Sequence, residues 1–146
     1  MTVAPEQDTL GQVMSKPVIT VNSNDTIRAA AGKMVERGIG AIVVLEDGKP
    51  VGILTERDVT KQSIKADDVM NRPVKTAMSK SLVTARENTS VQQGLELMLK
   101  HKIRRLPILD GTNMKGIVTD KDLLRWVLRV SYEPNIPGDI KAILES

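Results

Sequence analysis

The chain matches itself when shifted by 64 positions, the shift that sets Met14 on Met78, and the match runs without a gap. Met14-Ser15-Lys16 falls on Met78-Ser79-Lys80, Thr20 on Thr84, Asn24 on Asn88, Met34 on Met98 and Ile39 on Ile103. At the far end of the repeat, Gly52, Ile53, Thr55 and Asp58 fall on Gly116, Ile117, Thr119 and Asp122. About a quarter of the pairs are identical, and many others exchange Val, Ile and Leu. Self-similarity at a fixed period means one structural unit used twice. A unit of roughly 60 residues buries too little surface to stand comfortably alone. The two copies are therefore expected to pack face to face.

Each copy reads in the same order. Val18 to Val21 is an extended entry, and Asn24 or Asp25 caps a helix from Thr26 to about Arg37. Ile27, Ala30, Ala31, Met34 and Val35 share one face of that helix, and Gly38 stops it. Ala41 to Leu45 and Val51 to Leu54 are apolar runs joined by the turn Asp47-Gly48, a hairpin signal, and Thr55 opens a short helix. The second copy predicts a strand at Leu82 to Thr84, a helix over Ser90 to Lys102, and strands at Leu106 to Asp110 and Lys115 to Thr119. A turn at Gly111 to Asn113 joins those strands, and a helix follows from Asp120 to about Val130. The domains are placed at 10–64 and 74–130, with a linker at 65–73 and a tail at 131–146. The polar stretch Lys61 to Thr76 carries Pro73, with one helical turn expected at Ala66 to Met70. Pro134 and Pro137 punctuate the tail, and Ile140, Ile143 and Leu144 suggest a short amphipathic helix there.

Composition narrows the chemistry. There is no Phe, one Trp and one Tyr, so Val, Ile, Leu, Met and Ala must fill the core. Without Cys there is no disulfide and no thiolate, which fits a cytoplasmic protein. Met1 to Leu10 lacks a cationic start followed by an apolar stretch, so no signal peptide is expected. No apolar run approaches the roughly 18 residues of a membrane span. A net charge of +3 admits an anionic ligand and is too small to argue for nucleic acid.

Two stretches could carry function. The first is the junction Gly116-Ile117-Val118-Thr119-Asp120-Lys121-Asp122, whose copy is Gly52-Ile53-Leu54-Thr55-Glu56-Arg57-Asp58. Capping alone explains a Thr-x-x-Asp at a strand-to-helix junction. A ligand is compatible with the same geometry, because free N–H groups at a helix start attract phosphate and a carboxylate beside them accepts from neighbouring hydroxyls. The second is Ile103-Arg104-Arg105-Leu106-Pro107-Ile108, where two arginines precede an apolar strand. They are either a solvated strand entry or a phosphate clamp, and the first copy has Gly40-Ala41 instead. His101 ends a helix and reads as a surface residue, Met34 and Met98 read as core, and no metal spacing, catalytic triad or Gly-Lys-Ser/Thr phosphate loop appears. No enzyme is expected.

Val13 to Thr20, Ile103 to Ile108 and the repeated Gly-Ile-x-Thr-x-x-Asp together resemble the cystathionine-β-synthase (CBS) domain, used in tandem as a Bateman module, over about Leu10 to Arg129. The resemblance implies an α+β fold of two β-α-β-β-α repeats stacked about a pseudo-twofold axis, with two clefts for AMP, ADP, ATP or S-adenosylmethionine. In one cleft, Thr20, Ile39, Gly40 and Ala41 would hold the adenine, Asp122 the ribose, and Thr119, Arg104 and Arg105 the phosphates. The second, weaker cleft would use Thr84 and Ile103 for the base and Thr55 and Asp58 for the ribose, with Arg57 or Lys121 in place of the arginine pair. Val43 departs from the pattern's usual proline, and Ser81 stands where the first copy has Pro17.

The leading expectation is a regulatory module that senses an adenine nucleotide and signals to a regulated protein, with no catalytic cofactor. A structural or oligomerisation module with vestigial clefts is the alternative, and nucleic-acid binding is a weaker third, lacking stacking aromatics. The helix Leu123 to Val130 is apolar on nearly all sides. It is either a deep core helix covered by the tail or the interface of a homodimer, which the resemblance also implies.

Overall fold

Helix starts and stops follow local chemistry. A computed structural model describes residues 8–132, 135 and 137–145 of the chain. Helix α1 spans Leu10–Val13, strand β1 Thr20–Asn22, helix α2 Ile27–Arg37, strands β2 and β3 Ala41–Glu46 and Lys49–Thr55, and helix α3 Glu56–Ser63. Helix α4 (Val91–His101), strands β4 (Arg105–Asp110) and β5 (Asn113–Thr119), and helices α5 (Asp120–Tyr132) and α6 (Gly138–Glu145) complete the order. Thr26, not Asn24 or Asp25, is the N-cap of α2, accepting from the Ala29 N–H. Asp25 instead closes the preceding turn, its carboxylate accepting from Asn22 N at 2.8 Å. Gly38 ends α2 in the left-handed conformation at φ 63°, as expected of glycine there. In the second copy Lys102 does the same at φ 54°, although it has a Cβ. Asp47 and Gly48 both have positive φ, as a tight two-residue hairpin turn requires.

Val18–Leu82 forms one compact unit, and Val83 onward forms the other together with the chain up to Pro17. In the first unit β1 pairs parallel with β2, and β2 antiparallel with β3. In the second, β4 and β5 pair antiparallel. The ladder shifts register at Val44/Leu45 and again at Ile108/Leu109, matching positions of the repeat. One element is not duplicated. The strand expected at Leu82 to Thr84 is reduced to a single parallel bridge, Ala85 to Ile108. Ala85 N donates to Pro107 O at 3.1 Å, so Pro107 turns its nitrogen toward the same edge, where proline has no N–H to extend the ladder. Val43, at the matching place, keeps its N–H, and Thr20 pairs there.

The stretch between the repeats is packed rather than open. Helix α3 runs to Ser63, the turn expected at Ala66 to Met70 forms as a 3₁₀ turn shifted to Val69–Asn71, and a second 3₁₀ turn follows at Val74–Thr76, the two burying Val69 and Val74. The short helix α1 has no counterpart among the sequence expectations. Its start is marked by Gln12, whose Oε1 accepts from Thr9 N at 2.8 Å.

Each unit has its own core. Val21, Ala30, Met34, Ile42, Val44, Leu54 and Val74 build one, and Leu10, Val91, Met98, Leu106, Ile108, Val118, Leu123 and Trp126 the other. Met34 and Met98 are core residues, and His101 is exposed at the end of α4, both as expected. Helix α6 lies against α5 and buries Leu144, while Leu124, Val127 and Ile143 stay exposed. Pro134 and the first seven residues lie outside the described part.

Candidate functional site

The two Thr-x-x-Asp junctions form as capping predicts, and then they diverge. At the first, Asp58 N donates to Thr55 Oγ1 at 3.1 Å and Thr55 N donates to Asp58 Oδ2 at 2.9 Å, a closed reciprocal pair. At the second, Asp122 N donates to Thr119 Oγ1 at 3.2 Å and Thr119 N to Asp122 Oδ2 at 2.9 Å. Two further donors reach Asp122 alone. Thr119 Oγ1 lies 3.1 Å from its Oδ2, and Ser15 Oγ lies 3.2 and 3.3 Å from Oδ1 and Oδ2. Asp122 is buried, whereas Asp58 is half-buried. Oδ2 is thus held by three donors, while Oδ1 accepts only from Ser15 and has lone-pair capacity left.

Arg105 opens β4 directly opposite Thr119 on β5, and Arg104 O accepts from Asp120 N at 2.9 Å. Among the described residues the one ion pair is Lys141–Glu145, so neither guanidinium is neutralised by a carboxylate. One unit therefore brings together Arg104, Arg105, Thr119 and Asp122, with Thr84 and Ile103 in the same unit. Two cations at the start of a strand and an oriented anion at the start of a helix offer complementary handles for a phosphate and a hydroxyl.

The other unit holds Thr20, Ile39, Gly40, Ala41, Thr55, Arg57 and Asp58. Ala41 stands opposite Thr55, and Gly40 O accepts from Glu56 N at 3.0 Å, the counterpart of the Arg104–Asp120 bond. Lys33 Nζ donates to Thr20 O at 3.0 Å, placing a cation beside a residue expected to meet the base. Sequence reasoning missed both Lys33 and Ser15. The signal for Ser15 was present in the duplicated Met-Ser-Lys, but nothing local tells that its hydroxyl reaches a carboxylate 107 residues away. Among the described residues no group of three or more His, Asp or Glu side chains could hold a metal, and no helix is long and apolar enough to cross a membrane.

A duplicated α+β unit with a capped Thr-x-x-Asp at each strand-to-helix junction is the architecture of a paired regulatory module. The family comparison gives it a name. Residues 10–65 and 66–129 each match the CBS domain, and the chain belongs to that family. It is 41% identical over 110 residues to the CBS domain-containing protein YhcV of Bacillus subtilis, covering 75% of this chain and 79% of that one. It is 38% identical over 116 residues to inosine-5'-monophosphate dehydrogenase of Methanocaldococcus jannaschii. That match covers 78% of this chain and only 22% of the enzyme. Among solved structures, the CBS domain pair of protein MJ0100, crystallised with 5'-methylthioadenosine and S-adenosyl-L-methionine, superposes with a TM-score of 0.74 at 29% identity. The superposition covers 82% of this chain and 94% of that one. The fold is the α+β fold of CBS pairs.

Proposed function

We propose that the chain is a sensor of an adenosyl ligand, AMP, ADP, ATP or S-adenosylmethionine, and that occupancy is passed to a regulated partner protein. The observation that carries this is Asp122: a buried carboxylate fixed by Thr119, with one oxygen still able to accept, on the unit that also carries the unpaired Arg104 and Arg105. Adenosyl ligands in the related MJ0100 pair support the same ligand class here. In this proposal Thr20, Ile39, Gly40 and Ala41 take the adenine, Asp122 the ribose, and Thr119, Arg104 and Arg105 the phosphates. A second, weaker place uses Thr84 and Ile103 with Thr55, Arg57 and Asp58. The chain itself performs no catalysis and acts in the cytoplasm.

A ligand that binds only the folded state must stabilise it by mass action, about 2.7 kcal/mol at a hundredfold excess over Kd. Thermal unfolding with millimolar AMP, ATP or S-adenosylmethionine, against GMP as control, is expected to show an adenine-dependent rise in Tm. No shift with any of the three overturns the proposal.

One set of observations favours an interaction role beside it. Leu124 and Val127 on α5 and Ile143 on α6 are 65%, 41% and 55% exposed, more apolar surface than these two helices need for their own packing. A homodimer through this face is the partner proposed, tested by sedimentation of the wild type and Leu124→Lys. A wild-type monomer at micromolar concentration rejects it.

A further inference from the structure

The leading segments of the two repeats are exchanged. Asp8 to Pro17 packs in the unit of the second repeat, and its counterpart, Arg72 to Ser81, in the unit of the first. The backbone bonds that hold them correspond one for one. Leu10 N donates to Thr89 O as Val74 N does to Asp25 O, and Gly11 N to Glu87 O as Lys75 N does to Ser23 O. Val91 N donates to Asp8 O as Ile27 N does to Arg72 O, and Ser15 and Ile117 exchange the same pair of bonds as Ser79 and Ile53.

The side chains break this symmetry. Ser15 Oγ donates to Asp122, and Trp126 Nε1 donates to Asp8 Oδ2 at 2.7 Å. Asp122 and Trp126 lie one helical turn apart on the buried face of α5, so the segment is tied to that face twice. In the other unit Ser79 makes no hydrogen bond to Asp58, and Arg72 and Gln62, at the places of Asp8 and Trp126, make none to each other. The side-chain tie exists only where Asp122 stands.

Ser15 is an exposed residue whose hydroxyl donates its proton to Asp122 and keeps its lone pairs free to accept. Beside it, Asp122 Oδ1 has no other donor. Two acceptors set side by side, one a carboxylate oxygen and one a hydroxyl oxygen, fit two vicinal hydroxyls. We propose that Ser15 is a further ligand-contacting residue of the Asp122 site, accepting one hydroxyl of a ribose while Asp122 Oδ1 accepts its neighbour. The inference rests on the adenosyl reading above and adds to it a residue delivered from the other repeat. The first repeat's leading segment thereby becomes part of the site that the second repeat builds.

The test is calorimetric titration of AMP and ATP, and of their 2'-deoxy and 3'-deoxy forms, into the full chain, Ser15→Ala and Ser79→Ala. Losing one net hydrogen bond weakens binding about three- to tenfold. Ser15→Ala is expected to lose that much for the ribonucleotides and nothing further for one of the two deoxy forms, because the hydroxyl Ser15 accepts is already gone. Ser79→Ala is expected to keep wild-type affinity at the tighter site. Unchanged or tighter binding by Ser15→Ala, or an equal loss for the ribo and both deoxy forms, overturns the role of Ser15 while leaving the adenosyl reading intact. No binding of any nucleotide to the wild type overturns both.

Discussion

Met14 lies across Gly116 so closely that a Cβ on the glycine would meet its sulfur at 2.5 Å and its Cγ at 2.8 Å. The same relationship joins Met78 to Gly52, where an added Cβ would meet the sulfur at 2.8 Å and the carbonyl oxygen of Ser79 at 2.6 Å. The glycine that opens each repeated heptad is there because the exchanged segment passes over it. This closeness lets Ser15, bridged to Ile117, reach Asp122 at the start of α5.

The two glycines differ in what must give way. At Gly116 the nearest atoms belong to a methionine end that can rotate, with the bridged Ser15 carbonyl farther off at 3.1 Å. At Gly52 the nearest atom is the Ser79 carbonyl at 2.6 Å, held in a backbone bridge with Ile53. Overpacking of this kind costs about 1–3 kcal/mol. Denaturant unfolding is expected to place Gly52→Ala at the upper end of that range and Gly116→Ala at the lower. The reverse order would show that the bridge yields more easily than the thioether.

Leu10 lies close to the start of the chain, yet it is fully buried in the core of the second repeat's unit, against Gly94, where an added Cβ would meet Leu10 Cδ2 at 2.6 Å. Truncating a buried leucine costs about 2–5 kcal/mol. Leu10→Ala is expected to lower stability by that amount. A change under about 0.5 kcal/mol, the size of an ordinary surface substitution, would place the segment off the core.

Lys102 closes α4 at φ 54°, where α2 uses Gly38. A side chain in the left-handed region costs roughly 1 kcal/mol relative to glycine. Lys102→Gly is expected to raise stability by up to about that much, and Gly38→Ala to lower it similarly. Chemical denaturation of both variants checks the pair.

Much of this was legible in the residues. Offset identity revealed the repeat, Gly38 and Asp47-Gly48 punctuated it, and Thr55/Asp58 and Thr119/Asp122 announced their own capping. Apart from the repeat itself, these are local signals, each decided within about four residues. What the sequence hid is decided at long range. The exchange of leading segments depends on which unit Leu10 and Val74 find, and their apolar character suits either. The missing strand at Leu82 to Thr84 depends on Pro107, more than 20 positions on. Ser15 gained its partner only through the exchange.

The central claim is that Asp122, and not its copy Asp58, anchors the tighter adenosyl ligand. Calorimetric titration of AMP, ADP, ATP and S-adenosylmethionine into wild type, Asp122→Ala and Asp58→Ala, each confirmed folded by circular dichroism, tests it directly. Loss of one or two charge-assisted hydrogen bonds is expected to weaken the tighter site about tenfold or more in Asp122→Ala and to leave it unchanged in Asp58→Ala. Wild-type affinity in Asp122→Ala, or a larger loss in Asp58→Ala, would contradict the assignment.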